Sequence, residues 1–174
     1  DELVAQGIAH VELWGRGVDV DRYHPGRHDP RLRQAYGGDR DRLFLHVGRL
    51  AAEKGVERIL DAFGAARARM PSGHDIRLIV AGTGPREHAL RAMAPDGVTF
   101  LGNLDRSTML PQLYASTDAF VFASHTETLG LVILEAMASG LPVIAAPVGG
   151  VADHLRHNVN GVAYPPGDID AMAD

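Results

Sequence analysis

The chain contains no cysteine, which excludes a disulfide framework and thiolate chemistry and fits a reducing compartment. Lysine is nearly missing as well. Of 17 basic residues, Lys54 is the one lysine and the rest are arginine. No long run of one charge sign occurs: 17 basic and 22 acidic residues are spread along the chain, for a formal net charge of −5. That balance gives no general attraction to nucleic acid or anionic lipid. Nor is there an unbroken apolar stretch able to cross a bilayer. The greasiest segment, "LGLVILEAMASGLPVIAAPVGG", is interrupted by Glu135, Gly140 and Pro142 and reads as helix, turn and strand. The opening "DELVAQGIAH" is not a signal peptide, so the expected location is cytoplasmic. What is present, 45% hydrophobic and 22% charged residues over 174 positions, is the composition of a soluble domain. A chain of that length buries roughly 70% of the surface it exposes when unfolded.

Apolar, β-branched runs alternate with longer segments of helical period. The pattern predicts strands at Leu43 to Val47, Arg77 to Ala81, Val98 to Leu101, Ala119 to Phe122, Val143 to Ala145 and Gly161 to Tyr164. Helices are predicted between them, at about Gly55 to Arg69, Pro85 to Met93, Thr108 to Ser116, Leu131 to Ser139 and Val151 to Arg156. Pro85 and Pro111 fall near helix starts, where a missing N–H costs little. Strand and helix repeated this way require right-handed crossovers and give a doubly wound α/β domain, a Rossmann-like parallel sheet of about six strands with helices on both faces. Ligands of such sheets bind beyond the carboxyl ends of the strands. The turns to watch are therefore "GRLAAEKG", "GTGPRE", "GNLDRS" and "SHTETLG". Ahead of them, "HVELWGRGVDVDRYHPGRHDPR" reads as an exposed strand with a long turn-rich lead-in, and "GDIDAMAD" reads as the opening of one more helix. The expected division is 1–16 as an interdomain strand or linker and 17–174 as the domain, cut short at its C-terminus and belonging to a larger protein.

In "TETLGLVILEAMASGLPV", Glu127 precedes Gly130, the predicted helix start, and Glu135 follows on the helix itself. The helix from Leu131 is apolar nearly all round and should be deeply buried. A carboxylate there is costly without a partner. Two readings compete. Glu135 can be satisfied by an arginine or by backbone donors within the core. Alternatively, a diphosphate sits on the free N–H groups beyond Gly130 while ribose hydroxyls reach Glu135, which accounts for the glycine and the glutamate together. In "GRLAAEKG", Arg49 and Lys54 fall at the same ligand edge of the sheet. Two cations there would neutralise charge developing on a phosphate leaving group. Taken alone, the same residues fit an ordinary solvated helix start.

The segments "VGRLAAEKGV", "IVAGTGP", "VTFLGNL", "SHTETLGLVILEAMASGLPVIA", "VGGVAD" and "NGVAYPPGD" resemble, in order and spacing, the C-terminal nucleotide-sugar-binding domain of retaining family 4 glycosyltransferases, which have the GT-B fold. The resemblance runs from about Gly17 to the end. It implies the donor-binding half of an enzyme that moves a sugar from a nucleoside-diphosphate sugar to an acceptor, with no metal or other cofactor. By resemblance Arg49 and Lys54, beside Gly48, hold the donor diphosphate. Glu127 contacts hydroxyls of the transferred sugar and positions rather than attacks, and Glu135 holds the ribose. Arg49, Lys54 and Glu127 form the implied catalytic group. The backbone of Leu129, Gly130 and Leu131 is similar to the segment that donates N–H bonds to diphosphate and sugar, and Leu101, Gly102, Asn103 and Leu104 resemble the stretch flanking the nucleobase. His125, two residues before Glu127, is expected to border the sugar pocket. Many relatives have phenylalanine in place of Leu129, glutamate in place of Asp153 and asparagine in place of Arg16. "TETLG" and "LWGRGVD" resemble members that glycosylate lipids, so a lipid-linked acceptor and a peripheral position at the inner membrane face are expectations for the full-length protein.

Other patterns compete for attention. "GTGPRE" with Asp105 about 20 residues on resembles a dinucleotide fingerprint, but Glu87 stands where the third glycine should be. Asp19 and Asp21 could suggest a metal pair, yet turn chemistry explains them more cheaply. His24 and His28 do not share a helical face, and His154 with His157 are two ligands at most, too few for a zinc site. All four are expected at the surface. Two rival functions stay open: a nucleotide-sugar-binding module without catalysis of its own, and a sugar-nucleotide epimerase or phosphorylase of the same architecture.

Overall fold

The computed structural model describes residues 2–12, 17–38, 40–71, 74–124 and 126–174. Among these residues, the strands are β1 (Arg42–Val47), β2 (Ile76–Ala81), β3 (Val98–Gly102), β4 (Ala119–Phe122), β5 (Val143–Ala145) and β6 (Gly161–Ala163). All pair in parallel, in the order β3-β2-β1-β4-β5-β6. The helices are α1 (Glu2–Ala5), α2 (Pro30–Tyr36), α3 (Val56–Ala68), α4 (Glu87–Met93), α5 (Met109–Ala115), α6 (Leu131–Ala138) and α7 (Ile169–Ala173).

Period-two alternation builds a core on each face of the sheet. Leu45, Val47, Ile79, Ala81, Phe120 and Phe122 point to one side and pack with Leu113 and Tyr114 of α5 and Ile133 of α6. Leu78, Val80 and Val121 point to the other side, against Ile59, Leu60 and Phe63 of α3 and Leu90 of α4. Strands covered on both faces need apolar residues at every position, which is why they appear in the sequence as continuous runs.

The six strands predicted for the sheet form, and so do the predicted helices except the one over Val151 to Arg156. Val151 to Arg156 is not helical: a 3-10 turn at Gly149–Val151 is followed by turns closed by the Asn160 side chain, whose Oδ1 accepts from the Arg156 N–H at 2.8 Å. α6 is less buried than its composition suggested. Ile133, Glu135 and Ala136 are buried, whereas Leu131, Val132, Leu134, Met137 and Ala138 are half-buried. Near the N-terminus, no strand forms over His10–Glu12, and the rest of that expected strand, with Arg16, lies outside the described residues. α2 was not foreseen. Asp29 caps it by accepting from the Arg31 N–H at 2.9 Å, and Pro30 occupies its first turn, so "DPR" was a helix-start signal inside the segment read as turns.

The glycine-rich "GTGPRE" turn has a packing role. Gly82 has φ +137°, and a Cβ on it would lie 1.9 Å from the Gly48 carbonyl oxygen. The Leu50 N–H donates to the Thr83 carbonyl at 3.0 Å, which fastens this turn to the one after β1. The other decoys are turn residues. Asp19 accepts from the Arg22 N–H at 3.0 Å. His24 accepts from Gly26 at 3.2 Å and His157 from Ala163 at 3.1 Å. His28 and His157 are exposed, and His24 and His154 are half-buried.

Candidate functional site

The strand order reverses between β1 and β4: from β1 the chain winds outward to β2 and β3, and from β4 outward to β5 and β6. The loops leaving these two strands part in opposite directions and leave a crevice between them. A cleft of about 570 Å³ lies there. Gly48, Arg49 and Lys54 line it after β1, Asn103, Leu104 and Arg106 after β3, and Glu127, Thr128 and Leu129 after β4. Val47 and Phe122 form part of the floor, with Leu131 and Val132 of α6 beside them.

The central pair is Lys54 and Glu127. Lys54 ends a 3-10 turn at Ala52–Lys54, and its Nζ meets Glu127 Oε2 at 2.9 Å across the crevice. Both side chains are about one-fifth exposed, 23% and 18%, so water screens the pair only in part. The other carboxylate oxygen accepts from the Gly130 N–H at 3.3 Å. Gly130 is the N-cap of α6, in the left-handed conformation, and has no side chain of its own to cap the helix. Beyond its N–H, which Glu127 takes, Leu131 and Val132 open the helix at its positive end and line the crevice, an arrangement suited to an anion. Arg49 lines the same wall as Lys54, so the crevice combines two cations with a helix start.

Glu135 lies behind this surface. It is 5% exposed and does not line the cleft. Its Oε1 is paired with Nη2 of Arg106, and its Oε2 accepts from the Tyr114 hydroxyl at 3.2 Å. Burial raises its pKa above the usual carboxylate range, and the Arg106 charge and the tyrosine hydroxyls of Tyr114 and Tyr23 oppose that rise. The arginine-satisfied reading of Glu135 therefore holds in this state.

The crevice rests on features with little signal of their own in the sequence. His46 is fully buried beneath the turn after β1. Its Nδ1–H donates to the Val121 carbonyl at 3.1 Å, and its ring lies beside those of Phe120 and Phe122, with centroids 6.5 and 6.4 Å away. Burial, reinforced by the nearby Lys54 charge, lowers its pKa to about 4, so the ring is neutral at physiological pH. Gly150 supports the Glu127 loop from the far side. Its N–H donates to the Glu127 carbonyl at 2.9 Å, and a Cβ there would lie 2.3 Å from the Thr128 carbonyl oxygen. The paired glycines of "VGG" were the available signal for that close approach.

Of the residues expected at the site, the cleft gathers Gly48, Arg49, Lys54, Asn103, Leu104, Glu127, Leu129 and Leu131. Leu101, Gly102, Gly130 and Glu135 lie close by in sequence but do not line it. Gly102 instead accepts from the Gly82 N–H at 2.7 Å, joining two of the loops. His125 lies outside the described residues. Arg106 and Val132 line the cleft and were not expected to. Among the described residues, no three His, Cys, Asp or Glu side chains gather in a way that could hold a metal ion, and no helix is long and apolar enough to cross a membrane.

Residues 41–174 match the family model described as "Glycosyl transferases group 1". Among curated proteins, the chain is 39% identical over 163 residues to a GDP-mannose-dependent alpha-mannosyltransferase of Corynebacterium glutamicum, covering 93% of this chain and 37% of that one. It is 35% identical over 178 residues to the sulfoquinovosyl transferase SQD2 of Arabidopsis thaliana, covering 97% and 33%. Among solved structures, Anabaena Alr3699/HepE in complex with UDP-glucose superposes with a TM-score of 0.75 at 30% identity, covering 90% of this chain and 44% of that one. The chain thus spans well under half the length of these relatives.

Proposed function

The chain belongs to the glycosyl transferases of group 1, and from that premise we propose that it is the donor-binding half of a retaining, family 4 type enzyme using a nucleoside-diphosphate sugar. Its sheet is a Rossmann-like half of the GT-B fold. The observation that carries the proposal is the Lys54–Glu127 pair, set at the strand-order reversal beside the glycine-capped start of α6.

The chemistry needs three things from this chain. The bond between the anomeric carbon and a diphosphate oxygen breaks, and negative charge accumulates on the leaving diphosphate. Arg49, Lys54 and the N–H groups at the α6 start supply fixed positive charge where that happens, so no metal ion is required. Glu127 serves the sugar. Its carboxylate, already held by Lys54 and the Gly130 N–H, accepts from sugar hydroxyls and orients the ring. The acceptor hydroxyl attacks from the face that the diphosphate leaves, and its proton passes to the departing phosphate, so the configuration is retained. Glu135 takes the ribose, and the segment from Leu101 to Leu104 borders the base. The acceptor falls to residues outside this chain, which alone would bind donor without turning it over.

Product analysis of the full-length protein tests this. Incubated with a nucleotide sugar and its acceptor, it should release free nucleoside diphosphate, and nuclear magnetic resonance should find the same anomeric configuration in product and donor. Inversion would contradict the retaining mechanism. A sugar isomerised while still attached to its nucleotide would make the enzyme an epimerase.

A further inference from the structure

Arg106 stands between Glu135 and the cleft. Arg106 lines the cleft and Glu135 does not, although their side chains are in contact. The arginine is 56% exposed in its side chain and the glutamate 6%. The Glu135 carboxylate is engaged on both oxygens, by Arg106 on one and by the Tyr114 hydroxyl on the other, and Tyr23 packs edge-on to Tyr114 with ring centroids 5.7 Å apart. Between the crevice and Glu135 stands the Arg106 side chain, which touches both.

The backbone under Arg106 is fixed while its side chain is free to leave. Asp105 accepts from the Thr108 N–H at 2.7 Å, the Thr108 hydroxyl at 2.6 Å and the Ser107 hydroxyl at 2.7 Å, and its carbonyl takes the Leu110 N–H at 2.9 Å. Those bonds hold the Asp105 carboxyl well below the usual carboxylate range, the Thr108 hydroxyl contributing most. These bonds brace the turn, and the Arg106 side chain takes part in none of them. A guanidinium already half in water completes its hydration when it swings away, which offsets much of the lost attraction, so the ion pair is a weak lock. Its partner is in the opposite position: a carboxylate this buried needs a donor on it at all times.

We propose that Arg106 is a displaceable gate on Glu135, its guanidinium occupying the position that the ribose hydroxyls of a nucleoside diphosphate take over on binding. This rests on the reading of Glu135 as the ribose ligand. Donor binding is then an exchange of one hydrogen-bond donor for another on the same carboxylate oxygen. The arginine makes the site bind ribose less tightly than it otherwise would, and in return keeps Glu135 charged and oriented between turnovers. Among the described residues, the groups facing Glu135 are Arg106, Tyr114 and Tyr23, and Arg106 is the one cation among them.

The test is calorimetry on this chain with GDP and 2′,3′-dideoxy-GDP, with UDP and its dideoxy analogue in parallel, at pH 8 to keep Glu135 ionised. Arg106→Gln should tighten the ribonucleotide about three- to fivefold, the worth of a half-exposed ion pair, and leave the dideoxy compound unchanged. Arg106→Lys should fall between it and wild type. On acidification, ribonucleotide affinity in Arg106→Gln should begin to fall at a higher pH than in wild type, because Glu135 has lost its cation. An equal change for both nucleotides, or weaker ribonucleotide binding, overturns the gate. Glu135→Gln reads the underlying assignment separately. If wild type prefers the ribonucleotide and Glu135→Gln keeps that preference, Glu135 is not the ribose ligand and both ideas fall. Loss of the preference in Glu135→Gln, with Arg106→Gln behaving as wild type, removes the gate alone, and binding of neither pair by wild type overturns both.

Discussion

Lys54 carries the one ammonium in a chain that otherwise uses guanidinium, and it meets Glu127 at 2.9 Å in the crevice. A compact charge on a flexible stem can share itself between a carboxylate and a phosphate, whereas the planar fork of arginine favours one fixed partner. Lys54→Ala should weaken nucleoside diphosphate binding about ten- to a hundredfold, the value of a charged hydrogen bond, with Lys54→Arg losing less, both measured by calorimetry. His46 makes a prediction of another kind. Its folded pKa is lowered to about 4, below the unfolded value, so the unfolded chain takes up the proton first. Its contribution to stability is complete above about pH 6.5 and is lost as pH falls toward 4, on the order of 3 kcal/mol in all. Urea denaturation at pH 7 and pH 4.5 should show a smaller pH effect in His46→Phe than in wild type. Equal pH effects would mean that His46 does not titrate as its burial requires. At this scale the sequence was partly legible. Lys54, Arg49 and Glu127 could be picked out because they fall in turns after strands within segments that resemble the glycosyltransferase pattern; taken alone, Arg49 and Lys54 fit a solvated helix start as well. Arg106 and His46 could not, because their roles depend on which distant residue they touch.

The elements that matter are loops held by other loops. The Glu127 loop is fixed from one side by Lys54 and from the other by Gly150, whose N–H donates to the Glu127 carbonyl. In Gly150→Ala the new methyl would meet the Thr128 carbonyl at 2.3 Å and push the loop. Such overpacking costs roughly 1–3 kcal/mol. Nucleoside diphosphate binding should fall with it, and a thermal melt beside a titration checks both. If binding is kept at full strength, the loop does not need this support. The strands were legible because both faces of the sheet are covered, which writes an apolar run into every one of them. The helix expected over Val151 to Arg156 was not, since the apolar Val151 and Leu155 are buried from turns as readily as from a helix. The half-burial of α6 includes Leu131 and Val132, which line the cleft.

At the scale of the whole molecule, the parallel order β3-β2-β1-β4-β5-β6 puts the ligand edge at one place, between β1 and β4. The alternation of elements announced a parallel sheet, but the strand order is a property of crossovers that no local pattern encodes. Glu135 illustrates the same boundary. Its position on the helix was legible, and its pairing with Arg106 depended on the loop after β3 folding back across the crevice. With Arg49, Lys54 and the α6 start in the proposed role of supplying the positive charge, excess chelator should leave nucleotide affinity unchanged. A chelator-sensitive affinity would put a metal in the donor site. The most direct measurement is a calorimetric titration of this chain with GDP, UDP, ADP and NADH, repeated on Lys54→Ala. At least one nucleoside diphosphate should bind, NADH should not, and Lys54→Ala should lose most of the affinity. Binding of NADH without any nucleoside diphosphate, or affinity untouched by Lys54→Ala, would contradict a donor site built on Lys54.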